Sequence, residues 1–221
     1  MLNFQGKILE APVKSEKKAL IVFLHGWGAD SSSLLDLGHA FQAGVPEAKC
    51  YFPNGPRPCE MNPYGHAWFR LYKSSGERLP NEVLQKKAES AASDVAYWII
   101  DVQKNEKILP ERTFLVGFSQ GAMLSLYAGL SYPKLVKGVV SYSGGLLGKS
   151  MWLNPDPFTC YAIIHGDADT VVPVNELHFA SQVLGTYKLN HKNIVVKKLE
   201  HSINQEGFIK GLEFIQRELV R

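Results

Sequence analysis

Six short runs of β-branched, aliphatic and aromatic residues are interleaved along the chain with longer stretches carrying apolar residues at helical spacing. The runs are Ala19–Leu24 (ALIVFL), Lys49–Phe52, Thr113–Val116, Val136–Tyr142, Cys160–His165 and Ile194–Leu199, with a weaker one at Leu2–Ile8. The helical stretches are Ser32–Gln42, Glu82–Lys104, Gln120–Tyr132, Asn175–Tyr187 and Gln205–Val220. In Glu82–Lys104, the residues Val83, Ala88, Ala91, Val95, Trp98 and Ile99 form one apolar stripe at three- and four-residue steps. Strands that are apolar at nearly every position need cover on both faces. The alternation therefore predicts an α/β fold with a mostly parallel central sheet and helices on both sides. In such sheets ligands bind beyond the carboxyl ends of the strands.

A length of 221 residues suits one α/β domain spanning 1–221. The 24 basic and 21 acidic residues are mixed along the chain, so no nucleic-acid footprint stands out. The Lys14–Lys18 cluster (KSEKK) includes a glutamate and reads as a solvated turn. MLNFQGKILEAPVK lacks the pattern of a signal peptide, and no apolar run reaches membrane-spanning length. Cys50, Cys59 and Cys160 are odd in number and widely spaced, unlike a disulfide framework or a zinc site. These features lead to the expectation of a cytoplasmic protein without stable membrane insertion, nucleic-acid partner, metal or organic cofactor. Homodimerisation is left open. Two segments interrupt the alternation: 53–80, rich in proline and aromatic residues, and 143–157 (SGGLLGKSMWLNPDP), apolar for a surface segment. Long connections of this kind tend to carry function, so both are expected to line a substrate.

Residues 117–121 read GFSQG, between the run Thr113–Val116 and the helical stretch that starts at Gln120. A G-x-S-x-G match arises by chance in about one chain of this length in ten. A strand before it and a helix after it are what a nucleophile elbow requires. Glycines two positions either side let the backbone bend sharply and hold Ser119 at positive φ, with the helix N-terminus directed at the same spot. A serine hydroxyl needs a base, and the base an orienting acid. Of the histidines after Ser119, His178 lies within an amphipathic stretch and His191 in a polar turn. His165 ends a strand and is expected to position the loop after it. His201 falls between the last strand and the last helix and is the expected base. HGDADTVVP offers Asp167 and Asp169 as the acid, and spacing alone does not choose between them.

GFSQGAM, HGDADTVVP, FLHGWGAD and FPNGPRP…AWF together resemble the phospholipase/carboxylesterase branch of the α/β-hydrolases, which includes acyl-protein thioesterases. The resemblance extends from about Ala19 to the last helix and implies an α/β-hydrolase fold. It also implies that Asp169 is the triad acid, that Asp167 braces the loop, and that His201 is the triad histidine. An oxyanion hole built from the backbone amides of Trp27 and Gln120 is implied as well. The chain departs from the family pattern at Trp27, where a small aliphatic residue is usual, and at Glu200, where glycine or proline commonly precedes the histidine. An acyl chain needs an apolar channel, for which Trp27, Met61, Trp68, Phe69, Leu71, Leu146, Leu147, Met151 and Trp152 are the candidates; Arg70 reads instead as the partner of an acidic loop residue.

The expected activity is hydrolysis of esters or thioesters through an acyl-enzyme. A carboxylesterase acting on short or medium acyl esters comes first, and a thioesterase or lysophospholipase acting on long acyl chains second. A non-catalytic binder of apolar ligands and a peptidase of the same fold are the other readings. The intact Ser119, Asp169 and His201 set disfavours the former, and nothing resembling a peptide-selecting extra domain supports the latter.

Overall fold

The computed structural model describes residues 4–16, 18–148 and 153–220. In chain order the elements are β1 (Gly6–Leu9), β2 (Ala19–Leu24), α1 (Leu35–Gly44), β3 (Ala48–Pro53), β4 (Arg57–Pro58), β5 (His66–Ala67) and α2 (Asn81–Glu106). They continue with β6 (Thr113–Phe118), α3 (Gln120–Ser131), β7 (Gly138–Tyr142), β8 (Cys160–Gly166), α4 (Asn175–Thr186), β9 (His191–Val196) and α5 (Gln205–Leu219). Seven strands form one sheet in the order β1-β3-β2-β6-β7-β8-β9. All neighbours are parallel except β1, which runs antiparallel to β3.

The apolar runs of the sequence supply both faces of this sheet. Along β2, Leu20, Val22 and Leu24 pack on the side covered by α2, α3 and α4, while Ala19, Ile21 and Phe23 pack toward α1 and α5. This period-2 alternation explains why every residue of β2 is buried. The buried stripe of α2 runs through Leu84, Ala88, Ala91, Val95, Trp98, Ile99 and Val102. Val83, expected to begin it, is exposed, because Leu84 lies in phase with the later positions. Truncating a core leucine such as Leu24 or Leu84 to alanine removes roughly 2–5 kcal/mol.

Three other expectations shift. The last strand is His191–Val196 rather than Ile194–Leu199, since pairing with β8 begins at Tyr161↔His191 and ends at Gly166↔Val196. His191 therefore starts a strand, with Nε2 3.2 Å from Ser181 Oγ and Nδ1 2.9 Å from the Leu189 carbonyl. The first strand is Gly6–Leu9 rather than Leu2–Ile8, and residues 1–3 lie outside the described residues. Segment 53–80 contains a small hairpin, β4 with β5, tied to the loop after β2 by Gly28 N–H donating to the His66 carbonyl (2.9 Å).

From β2 the chain steps outward to β3 and then returns to β6 on the other side of β2. The order reverses there, and the carboxyl ends of β2 and β6 open a crevice. The segments that enter this crevice are His25–Gly26–Trp27 after β2 and Ser119 after β6.

Candidate active site

Ser119 adopts φ 54° and ψ −115°, between the end of β6 and the first turn of α3. Such a backbone costs a residue with a Cβ about 1–3 kcal/mol and persists only where the surroundings enforce it. Two glycines make it sterically attainable. A methyl group on Gly117 would collide with the Gly121 carbonyl and Ala122 backbone, and one on Gly121 with the Leu24 carbonyl. The Ser119 amide donates to the Tyr142 carbonyl at 2.9 Å, fixing the bend to the end of β7, while the Ser119 carbonyl accepts from Met123 N–H at 3.0 Å. The serine thus stands at the N-terminus of α3 in a bend locked from both sides.

The loops after β8 and β9 bring the acid and the base together. His201 Nδ1 lies 2.7 Å from Asp169 Oδ2. The Asp169 side chain is fully buried and that of His201 largely so. Asp169 Oδ1 accepts from the amides of Val171 (2.9 Å) and Val172 (2.8 Å). Burial works against the charged carboxylate. The bond to His201 and the Val172 and Val171 amides outweigh it and hold the carboxyl below its ordinary range. An ionised Asp169 accepts the Nδ1 proton, which leaves Nε2 of His201 as the basic nitrogen.

His165 braces the same loop from beneath. Its Nε2 lies 2.7 Å from the Val172 carbonyl and 3.4 Å from Asp169 Oδ2. Burial pushes the imidazole below its ordinary value, against the opposing Val172 carbonyl, so it serves as a neutral donor. Asp167 is exposed and accepts from the Lys198 amide in the turn after β9, at the foot of the loop that carries His201. The two aspartates that spacing alone left equivalent therefore have different partners. Glu200 faces solvent, as does His178 on α4.

The loop after β2 abuts Ser119: a Cβ on Gly26 would lie 3.4 Å from that of the serine. His25 sets the loop's path. Gly55 N–H donates to its Nε2 (2.9 Å), so Nδ1 carries the proton and donates to the Gly26 carbonyl (2.7 Å). Burial drives its pKa down from 6.5 to about 4. The Trp27 indole N–H donates to Glu60 Oε2 (3.0 Å), and Glu60 Oε1 accepts from the Leu71 amide (2.9 Å). The Gln120 side chain accepts from Trp68 N–H (2.9 Å) and donates to the Phe69 carbonyl (2.8 Å).

A cavity of about 810 Å³ opens over Ser119 and His201. Gly26, Trp27 and Gln120 border it, and Leu34, Leu37, Met123, Ile203 and Phe208 form one apolar wall. Leu71, Tyr72, Leu147, Val171, Val172 and Arg78 also line it. Of the residues expected to line an acyl channel, Trp27, Leu71 and Leu147 border this cavity. Trp68 and Phe69 do not: each is 2% exposed in the core beneath α2, where the Trp68 indole donates to the His25 carbonyl (2.9 Å). Met61 is 69% exposed on the outer hairpin loop and is absent from the lining, and Leu146 is a core residue that borders a separate hollow. Met151 and Trp152 lie outside the described residues. The apolar residues at or just before the starts of α1, α3 and α5 went unforeseen. Their signal was an apolar side chain near the start of helices that follow strand carboxyl ends. Among the described residues no group of three or more His, Cys, Asp or Glu side chains could hold a metal ion, and no helix is long and apolar enough to cross a membrane.

Comparison with known proteins finds relatives along most of the chain. The chain is 29% identical over 220 residues to acyl-protein thioesterase 1 of Schizosaccharomyces pombe, covering 90% of each chain. It is 24% identical over 209 residues to esterase YpfH of Escherichia coli, covering 95% of this chain and 86% of that one. The crystal structure of esterase PE8 superposes with a TM-score of 0.88 at 29% identity, over 98% of this chain and 99% of that one. The family model described as phospholipase/carboxylesterase matches residues 8–219, and the chain belongs to that family of α/β-hydrolases.

Proposed function

We propose that the protein is a serine carboxylesterase in which Ser119 is the nucleophile, His201 the general base and Asp169 the residue that orients and charges-matches the histidine. The observation that carries this reading is the 2.7 Å contact between buried Asp169 and His201, on a cavity that Ser119 and His201 both line. Nε2 of His201 takes the Ser119 hydroxyl proton as Oγ attacks the ester carbonyl carbon. The negative oxygen of the tetrahedral intermediate is met by the backbone amides of Trp27 and Gln120, each worth about 3–4 kcal/mol. The carbon–oxygen bond to the leaving alcohol then breaks, and the alcohol departs with the proton from His201. Water, deprotonated by the same nitrogen, attacks the acyl-enzyme; the acid leaves and Ser119 regains its proton.

Substrates of short to medium acyl length come first. Trp27 borders the cavity with its indole tied to Glu60 and its ring 5.5 Å from that of Tyr72 between centroids, so a fixed bulky side chain takes up space on that side. A second reading, hydrolysis of long-chain thioesters or lysophospholipids, has two supports: the apolar wall of a cavity near the upper end of ordinary ligand sites, and the name of the fission-yeast relative. A series of p-nitrophenyl esters from two to sixteen carbons separates them. A rate that collapses beyond about eight carbons supports the first reading, and a rate sustained to sixteen the second. Folded Ser119→Ala protein with full activity overturns both. A cytoplasmic location fits the three buried, unbridged cysteines Cys50, Cys59 and Cys160.

A further inference from the structure

Among the described residues, Arg78 is the one side chain of fixed charge that lines the cavity over Ser119, and no aspartate or glutamate borders it. The guanidinium lies on a divide. It also borders a neighbouring hollow of about 420 Å³, shared with Leu147, whose lining includes Asn81, Glu82, Gln85 and Glu176. Glu82 and Glu176 line that hollow and not the cavity over Ser119, whose other described lining residues are apolar or carry no fixed charge. Among the described residues no carboxylate comes within ion-pair range of Arg78; the Glu176 carboxyl, raised by burial, feels its charge only at longer range.

The exposed guanidinium has a side-chain partner at the start of α2. Arg78 pairs backbone to backbone with Tyr72, and Nη1 donates to Asn81 Oδ1 at 2.9 Å. Asn81 opens α2, a 26-residue helix whose N-terminus has no side-chain cap. The positive end of that helix and the guanidinium thus reinforce one another, with Glu82 in the first turn as the opposing charge on the side of the hollow. A cation that lines a largely apolar cavity, with donors of its planar fork left over, is suited to a carboxylate.

We infer that this cavity selects esters that carry a second, free carboxylate, namely monoesters of dicarboxylic acids or acyl esters of hydroxy acids, and that Arg78 binds that carboxylate. This rests on the serine-hydrolase reading of the same site. Arg78 does not enter the bond-making steps; it holds the anionic end of a substrate whose ester carbonyl lies at Ser119.

The test compares matched pairs by pH-stat titration at low ionic strength: monoethyl adipate with ethyl hexanoate for a carboxylate on the acyl side, and 4-acetoxybutanoate with butyl acetate for one on the alcohol side. The readout is the ratio of kcat/KM for the anionic ester to that for its neutral partner, so a general effect of a substitution on turnover cancels. In one of the two pairs, the ratio should fall about three- to tenfold in Arg78→Ala, fall further in Arg78→Glu, and drop in the wild type when 0.5 M sodium chloride is added. The responding pair identifies the side of the ester that faces Arg78. Ratios unchanged by both substitutions and by salt, with the neutral esters still turned over, overturn this inference alone. Absence of hydrolysis of every ester by the wild type overturns the serine-hydrolase reading beneath it.

Discussion

Replacing His25 with glutamine should remove a defined part of the protein's sensitivity to mild acid. In the folded protein Nε2 of His25 accepts from the Gly55 amide, while Nδ1–H donates to the Gly26 carbonyl. The site is 2% exposed, so burial disfavours the charged imidazolium, and protonation would also turn Nε2 from an acceptor of the Gly55 N–H into a donor. The pKa accordingly falls from 6.5 to about 4. Between those values the unfolded chain binds a proton that the native state refuses. Stability due to this group is therefore complete above pH 6.5 and is lost as pH falls toward 4. At pH 5 the loss amounts to about 2 kcal/mol relative to neutral pH. Glutamine places an acceptor near the position of Nε2 but does not titrate. Urea unfolding at pH 7.5 and pH 5 in constant salt should show the wild type losing about 2 kcal/mol more than His25→Gln over this interval, since other titrating groups cancel in the difference. Equal pH dependence in the two proteins would refute the neutral, acceptor role assigned to His25.

Gly121→Ala should be among the most damaging single substitutions, because the added methyl meets the Leu24 carbonyl, which belongs to the strand and not to a flexible side chain. Loss of more than about 3 kcal/mol in chemical denaturation, or failure to accumulate soluble protein, is expected. Asp169→Asn should lower kcat by about 10³–10⁴-fold, since the amide no longer fixes the His201 tautomer. It should also change the acid limb of unfolding. Asp169 has a depressed carboxyl, so its contribution is present above its unfolded value of 3.8 and vanishes as pH falls through the lower folded value. Thermal scans from pH 5 downward should therefore show the wild type losing a share of stability that Asp169→Asn does not.

The parts of the site legible in the sequence are those whose chemistry depends on order along the chain. Gly117 and Gly121 around Ser119 signal a bend because only residues without a Cβ tolerate it, and the strand ends follow from runs such as ALIVFL. Parallel pairing then brings those ends to one edge. Choosing Asp169 over Asp167 required the family resemblance, since both aspartates flank one turn and their difference lies in which later loop returns to them: His201 for one, Lys198 for the other. The cavity wall was the least legible. Trp68 and Phe69 look like lining because they are aromatic and lie in a segment that enters the crevice. Their backbone groups are instead claimed by Gln120, and the indole by His25, which turns both rings into the core. Composition does not reveal such pairings. Arg78 was hidden for a similar reason, as its side of the loop is set by its pairing with Tyr72 and by Asn81 at the start of α2.

An activated nucleophile at Ser119 underlies every catalytic step, and reaction with a fluorophosphonate followed by intact-mass and peptide-level mass spectrometry tests it most directly. The prediction is one phosphonyl group per chain, located on the peptide that carries Ser119. Labelling should be absent in Ser119→Ala and at least about a hundredfold slower in His201→Ala. Ester hydrolysis that persists in Ser119→Ala, with the label on another residue, would contradict it.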